Sequence, residues 1–124
     1  MLTQSDRRQA PLCVLVVDDD RALGEIIQTR LTAFGYNALL AHSIQTAFEI
    51  AGSQHLDGAI LDVHVAGVVS FGFAESLVSQ GVPYIFMSGG YLEELPDPHH
   101  GVVLIRKPFR ALELMRYVSD MTGH

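Results

Sequence analysis

A doubly wound α/β fold, with five parallel strands and helices on both faces, is what this sequence predicts. Three observations predict it. Short apolar runs recur along the chain, each followed by a segment with apolar residues at helical spacing. The runs are almost unbroken rather than alternating, which marks strands buried on both faces of a parallel sheet. The first run, Leu12-Cys13-Val14-Leu15-Val16-Val17, opens directly into Asp18-Asp19-Asp20, so negative charge collects at a strand end, where such sheets carry their working sites. Like charges that close repel, so a positive group is expected to complete the cluster.

The elements follow in order. Residues 1–11 read as a flexible lead and residues 12–124 as one domain, the first strand covering residues 12–17. Leu23, Ile26, Ile27, Leu31 and Phe34 recur at helical spacing, and Gly35 stops that helix. A second strand spans residues 37–41. Ser43 then caps a helix with Ile44, Ala47, Phe48 and Ala51 on its apolar face, ending at Gly52. Gly58-Ala59-Ile60-Leu61 is the third strand and ends at Asp62. Phe71, Ala74, Leu77 and Val78 mark the next helix, closed by Gly81. Residues 82–87 and 102–105 form the fourth and fifth strands, and Ala111, Leu114, Met115 and Val118 mark the last helix. Between the last two strands, Pro96 and Pro98 disfavour a regular helix. The fourth helix is therefore expected to be shortened to one or two turns near Tyr91 to Leu95.

Composition narrows the function. A net charge of −6 argues against a nucleic-acid-binding surface. No apolar stretch reaches the ~20 residues that span a bilayer. Arg7 and Arg8 are followed by no apolar h-region, so no secretory signal is read. The single cysteine, Cys13, rules out an internal disulfide and falls within a strand, where burial is its expected fate. An intracellular, cytoplasmic protein is expected.

Five polar groups fall at C-terminal strand ends: Asp18 and Asp19 after the first strand, Asp62 after the third, Ser88 after the fourth and Lys107 after the fifth. Each alone is ordinary: a solvated acid or helix cap, a turn serine, an exposed lysine. Together they suit phosphoryl transfer to a carboxylate. A carboxylate can attack phosphorus to give an acyl phosphate. Mg²⁺ takes oxygen ligands and needs only one or two carboxylates beside phosphate oxygens. A lysine supplies a fixed point charge and a hydroxyl holds a further oxygen, so that catalysis rests on positioning and charge.

The motifs Val16-Val17-Asp18-Asp19-Asp20, Ile60-Leu61-Asp62-Val63, Phe86-Met87-Ser88-Gly89 and Arg106-Lys107-Pro108-Phe109, in this order, resemble the receiver domain of two-component response regulators. The resemblance covers residues 12–121. It implies a flavodoxin-like (βα)5 sheet of strand order 2-1-3-4-5. It implies Asp62 as phosphoacceptor, and Asp19, Asp62 and the backbone carbonyl of His64 as direct Mg²⁺ ligands, with Asp18 acting through water. Ser88 matches the switch hydroxyl of that family and Lys107 its lysine, with a cis bond to Pro108. Asp20 reads as a helix N-cap. His64 and Gly90 stand where the family tunes hydrolysis of the acyl phosphate, and Gly89 leaves room for a phosphodonor or water. The sequence also departs from the pattern. Ala66 replaces a common proline, Gly67-Val68-Val69 make that loop apolar, and Leu104 stands where the family carries its switch aromatic.

The resemblance implies a stand-alone receiver that takes a phosphoryl group from a sensor histidine kinase or histidine phosphotransfer protein, is not an enzyme beyond its own phosphorylation and dephosphorylation, and signals by contact with a downstream protein. The competing class is a receiver-fold interaction module that works without phosphorylation. An FMN-binding domain is disfavoured because three acids would repel the FMN phosphate. A haloacid-dehalogenase-type phosphatase would need an acid at position 64, where His64 stands. His99-His100 is read as a solvated loop rather than a metal site. His42 and His55 are assigned no role, the Arg106–Arg110 stretch balances the acidic pocket, and Phe71 and Phe73 are read as packing residues.

Overall fold

The structure is a computed structural model that describes residues 10–90, 95–97 and 99–124. Its elements are β1 (Cys13–Val17), α1 (Arg21–Ala33), β2 (Asn37–Ala41), α2 (Ile44–Ser53), β3 (Gly58–Asp62), the two-residue strands β4 (His64–Val65) and β5 (Val68–Val69), α3 (Phe71–Gln80), β6 (Tyr84–Ser88), β7 (Leu104–Arg106) and α4 (Ala111–Thr122). Five strands form one parallel sheet in the order β2-β1-β3-β6-β7. This is the expected order, once the small antiparallel hairpin β4–β5 is set apart.

The sheet divides the interior into two apolar layers. Along β1, Cys13, Leu15 and Val17 face one layer and Val14 and Val16 the other. The first layer is closed by Ala47 and Ala51 of α2 and by Phe73, Ala74 and Leu77 of α3. The second is closed by Ile27 and Leu31 of α1 and by Leu114, Met115 and Val118 of α4. Helix starts follow the sequence signals. The Asp20 carboxylate accepts from the Leu23 N–H at 3.1 Å, and the Ser43 hydroxyl accepts from the Thr46 N–H at 3.1 Å.

The first three helices bury narrower stripes than their periodicity implies. Ile26, Phe34, Phe48 and Val78 match the spacing of their neighbours but are exposed. Phe73, one position from the expected stripe, is buried against the edge of Phe48. The reason is geometric: four apolar residues per two turns span more arc than one sheet face covers.

The segment between β6 and β7 departs further. The short helix expected near Tyr91 to Leu95 falls largely outside the described residues, and so does the lead over residues 1–9. Among the described residues no helix lies between β6 and β7. His99, expected in a solvated loop, is instead buried. Its ring stacks on Phe71 and meets Tyr84 and Phe86 edge-on, and its Nδ1 shares a hydrogen bond with the Tyr84 hydroxyl. Aromatic contact supplied by Phe71, Tyr84 and Phe86 outweighs the solvation of the imidazole here.

The neighbours Leu77 and Val78 offer a direct check of the narrow stripe. Leu77 is fully buried and Val78 is exposed. Leu77→Ala should lower unfolding free energy by about 2–5 kcal/mol. Val78→Ala should change it by less than about 0.5 kcal/mol. Chemical denaturation of the two variants checks the contrast.

Candidate functional site

Strand register brings the candidate residues together. Val17 pairs with Leu61, so Asp18, the next residue after β1, reaches the level of Asp62 at the end of β3. Asp62 pairs with Met87, and the Val63 N–H donates to the Met87 carbonyl at 2.9 Å. Ser88 pairs with Arg106, and the Lys107 N–H donates to the Ser88 carbonyl at 2.9 Å. The Lys107–Pro108 peptide bond is cis.

At the centre lies one ammonium between two carboxylates. Lys107 Nζ donates to Asp18 Oδ2 and to Asp62 Oδ2, each at 2.9 Å. Both aspartates are buried. Asp18 Oδ1 is also engaged, accepting the Asp20 N–H at 2.9 Å. Asp19 is exposed. Asp18, Asp19 and Asp62 nevertheless offer oxygens that lie within 4.8 Å of one another. Three carboxylates beside a single ammonium leave negative charge that a divalent cation would balance. All the donors are hard oxygens, the type Mg²⁺ prefers, so the residues present fit that ion.

The titration of Asp62 reflects this crowding. Burial pushes its carboxyl above the ordinary carboxylate range and the charge of Asp18 adds to the push, while the Lys107 ammonium opposes it. For Lys107, burial alone would favour the neutral amine. Its hydrogen bonds and charge contacts with Asp62 and Asp18 outweigh burial and hold the ammonium above its usual value.

Ser88 is buried at the end of β6, and its hydroxyl donates to the Gly90 carbonyl at 3.4 Å, near the limit of a hydrogen bond. His64 starts β4, opposite Val69 in the small hairpin, with its side chain exposed. The hairpin turn places Ala66 at φ 51° and Gly67 at φ 81°. Two successive positive φ values make the tight turn whose twist suits a hairpin, which the proline common at position 66 could not adopt.

Two positioning residues escaped the sequence reading. The His42 Nδ1–H donates to the Asp18 carbonyl at 3.0 Å. The signal was present: His42 directly follows β2, whose Ala41 lies beside Val17, so it shares the edge that holds Asp18. Ser70 is the other. Its hydroxyl donates to the Asp62 carbonyl at 2.7 Å and its N–H to the Val63 carbonyl at 2.9 Å, tying the start of α3 to the end of β3. A serine before a helix reads as a cap, yet this one makes no side-chain cap bond because its hydroxyl is spent on Asp62.

No protein-family model matches the chain. Relatives and solved structures do. The chain is 31% identical to a probable transcriptional regulator, ycf27, of Cyanidium caldarium, over 95% of this chain and 48% of that protein. It therefore spans about half the length of that curated relative. The non-phosphorylated HemR receiver domain from Leptospira biflexa superposes with a TM-score of 0.79 at 26% identity, covering 91% of this chain and 95% of that one. A response regulator receiver protein from Burkholderia phymatum superposes with a TM-score of 0.75 at 27% identity, covering 90% and 95%. The strand order, the acidic strand ends and these likenesses agree, and the chain belongs to the receiver domains of response regulators.

Proposed function

We propose that Asp62 accepts a phosphoryl group from a phosphohistidine on a sensor histidine kinase or a histidine phosphotransfer protein, and that the domain signals through contact with a downstream protein. The observation that carries this reading is the Asp62 carboxylate itself. It is buried at a strand end, paired with Lys107 at 2.9 Å, and has the oxygens of Asp18 and Asp19 close by.

In the proposed reaction an Asp62 carboxylate oxygen attacks phosphorus. An O–P bond forms, the P–N bond to the donor imidazole breaks, and the electron pair leaves with that imidazole. Lys107 transfers its charge from the Asp62 carboxylate to a phosphoryl oxygen. Ser88 releases Gly90 and donates to another. Attack by water on the same phosphorus later restores the carboxylate. Asp19, Asp62 and the His64 carbonyl would hold Mg²⁺, with Asp18 as outer partner; the ion would supply neutralising charge for the phosphoryl oxygens. The domain turns over no separate substrate and so is not an enzyme in the usual sense.

The net charge of −6 supports a protein partner rather than nucleic acid. Among the described residues no helix is long and apolar enough to cross a membrane.

Intact mass after incubation with Mg²⁺ and acetyl phosphate tests the reading. One phosphoryl adduct is expected, absent in Asp62→Asn and absent when EDTA removes the metal. Lys107→Ala should slow adduct formation by about 10²–10³-fold, the usual effect of removing one charge-stabilising donor. An unmodified parent chain, with a cognate kinase failing as well, would favour an interaction module that works without phosphorylation.

The raised Asp62 carboxyl also makes a stability prediction. A carboxyl raised on folding contributes stability only while protonated. That contribution is complete below the unfolded-chain value of about 3.9 and is lost as pH rises through the folded value. In metal-free buffer Asp62→Asn should therefore melt above the parent at neutral pH. The gap should close as pH falls toward the ordinary carboxylate range. Thermal melts across that range check the sign.

A further inference from the structure

His99 presents a feature that the phosphoacceptor site does not use. Its imidazole is buried among Phe71, Tyr84 and Phe86, at centroid distances of 5.4, 5.6 and 5.4 Å. Nδ1 shares a hydrogen bond with the Tyr84 hydroxyl, but Nε2 has no partner. Among the described residues no other buried side-chain nitrogen or oxygen is left so. An unpaired buried nitrogen costs free energy that exposure to water would return. The seated ring is thus held by aromatic contact and by the Tyr84 hydroxyl, and opposed by its own unpaired Nε2.

The cage is tied to the site at two points. Phe86 lies two residues before Ser88 in β6. Phe71 directly follows Ser70, whose hydroxyl holds the Asp62 carbonyl at 2.7 Å. Leu104, across from Phe86 in the sheet register, supplies no ring to respond to Ser88.

We propose that His99 is a plug governed by the phosphorylation state of Asp62: seated in the Phe71–Tyr84–Phe86 cage beside a free carboxylate, and withdrawn when Ser88 turns to a phosphoryl oxygen. A charged phosphoryl oxygen is a stronger acceptor than the Gly90 carbonyl, which Ser88 holds at only 3.4 Å. Recruiting Ser88 frees Gly90 and shifts the end of β6, and with it the cage wall formed by Phe86. Withdrawal bares aromatic surface, so the phosphorylated and free domains present different faces. This inference rests on the phosphoacceptor reading.

The test uses the full chain with Mg²⁺, with and without acetyl phosphate, followed by ring NMR of the histidines and by amide exchange. His99 ring signals should shift well beyond those of His55, an exposed histidine in the loop before β3. Exchange at the Val102 amide, which donates to the His99 carbonyl at 3.0 Å, should quicken at least tenfold. His99→Phe fills the cage without an orphan nitrogen; it should still be phosphorylated and should lose the quickened exchange. Tyr84→Phe removes only the hydroxyl paired with Nδ1 and should quicken Val102 exchange before any phosphodonor is added. An adduct on Asp62 with His99 shifting no more than His55 overturns the plug and leaves the phosphoacceptor reading standing. A His99→Phe response equal to the parent's, or Val102 exchange in Tyr84→Phe equal to that of the untreated parent, also overturns the plug. Absence of any adduct overturns the phosphoacceptor reading, and the plug with it.

Discussion

Two buried carboxylates tolerate each other here because one ammonium stands between them. Lys107 bonds Asp18 and Asp62 at equal distance, and without it the end of β1 and the end of β3 would carry adjacent unpaired charges inside the fold. Removing one partner of a buried ion pair costs more than the pair contributes, because the charge left behind has lost water and gained nothing. The rest of the edge is arranged around this bridge. His42 fixes the Asp18 carbonyl, the Asp20 N–H fixes one Asp18 oxygen, and Ser70 fixes the Asp62 carbonyl. Each of these bonds spends a polar group on orientation, and none occupies Asp62 Oδ2, the oxygen that faces Lys107.

The arrangement carries a cost. Asp62 is less readily ionised than a free carboxylate because of burial and of Asp18, while Lys107 supplies part of the compensation. A site that wanted only stability would replace Asp62 with a neutral group. Retaining it is the pattern expected where function strains a fold. The charge that Lys107 leaves unbalanced is one that a divalent cation would neutralise, and the hard oxygen donors decide which class of cation would fit.

Much of this was legible in the sequence because parallel sheets put chemistry at one edge. The sheet order followed from near-continuous apolar runs, and the grouping of Asp18, Asp62, Ser88 and Lys107 followed from asking what each strand ends on. Asp20 and Ser43 announced their helices by residue type alone. What stayed hidden depended on register or on tertiary packing. His42 acts only because β2 lies beside β1, and Ser70 looks like a cap until its hydroxyl is seen to point at the Asp62 carbonyl. His99 was misread because a His-His pair between prolines has a polar composition, and nothing local reveals three aromatic rings contributed by α3 and β6. Ile26, Phe34, Phe48 and Val78 show the same limit from the other side: periodicity marks a face but not its width.

The sheet also works as a partition. The layer under α2 and α3 and the layer under α1 and α4 share no residue, since β1 sends alternate side chains to opposite sides. Substitutions in the two layers touch different neighbours, and distant, unconnected changes tend to add rather than compound. His99 and its cage belong to the α2–α3 side, where Leu104 also packs. Descent can thus remodel that side residue by residue, exchanging one aromatic arrangement for another, while the opposite layer keeps α1 and the Asp20 cap in register with the acidic edge.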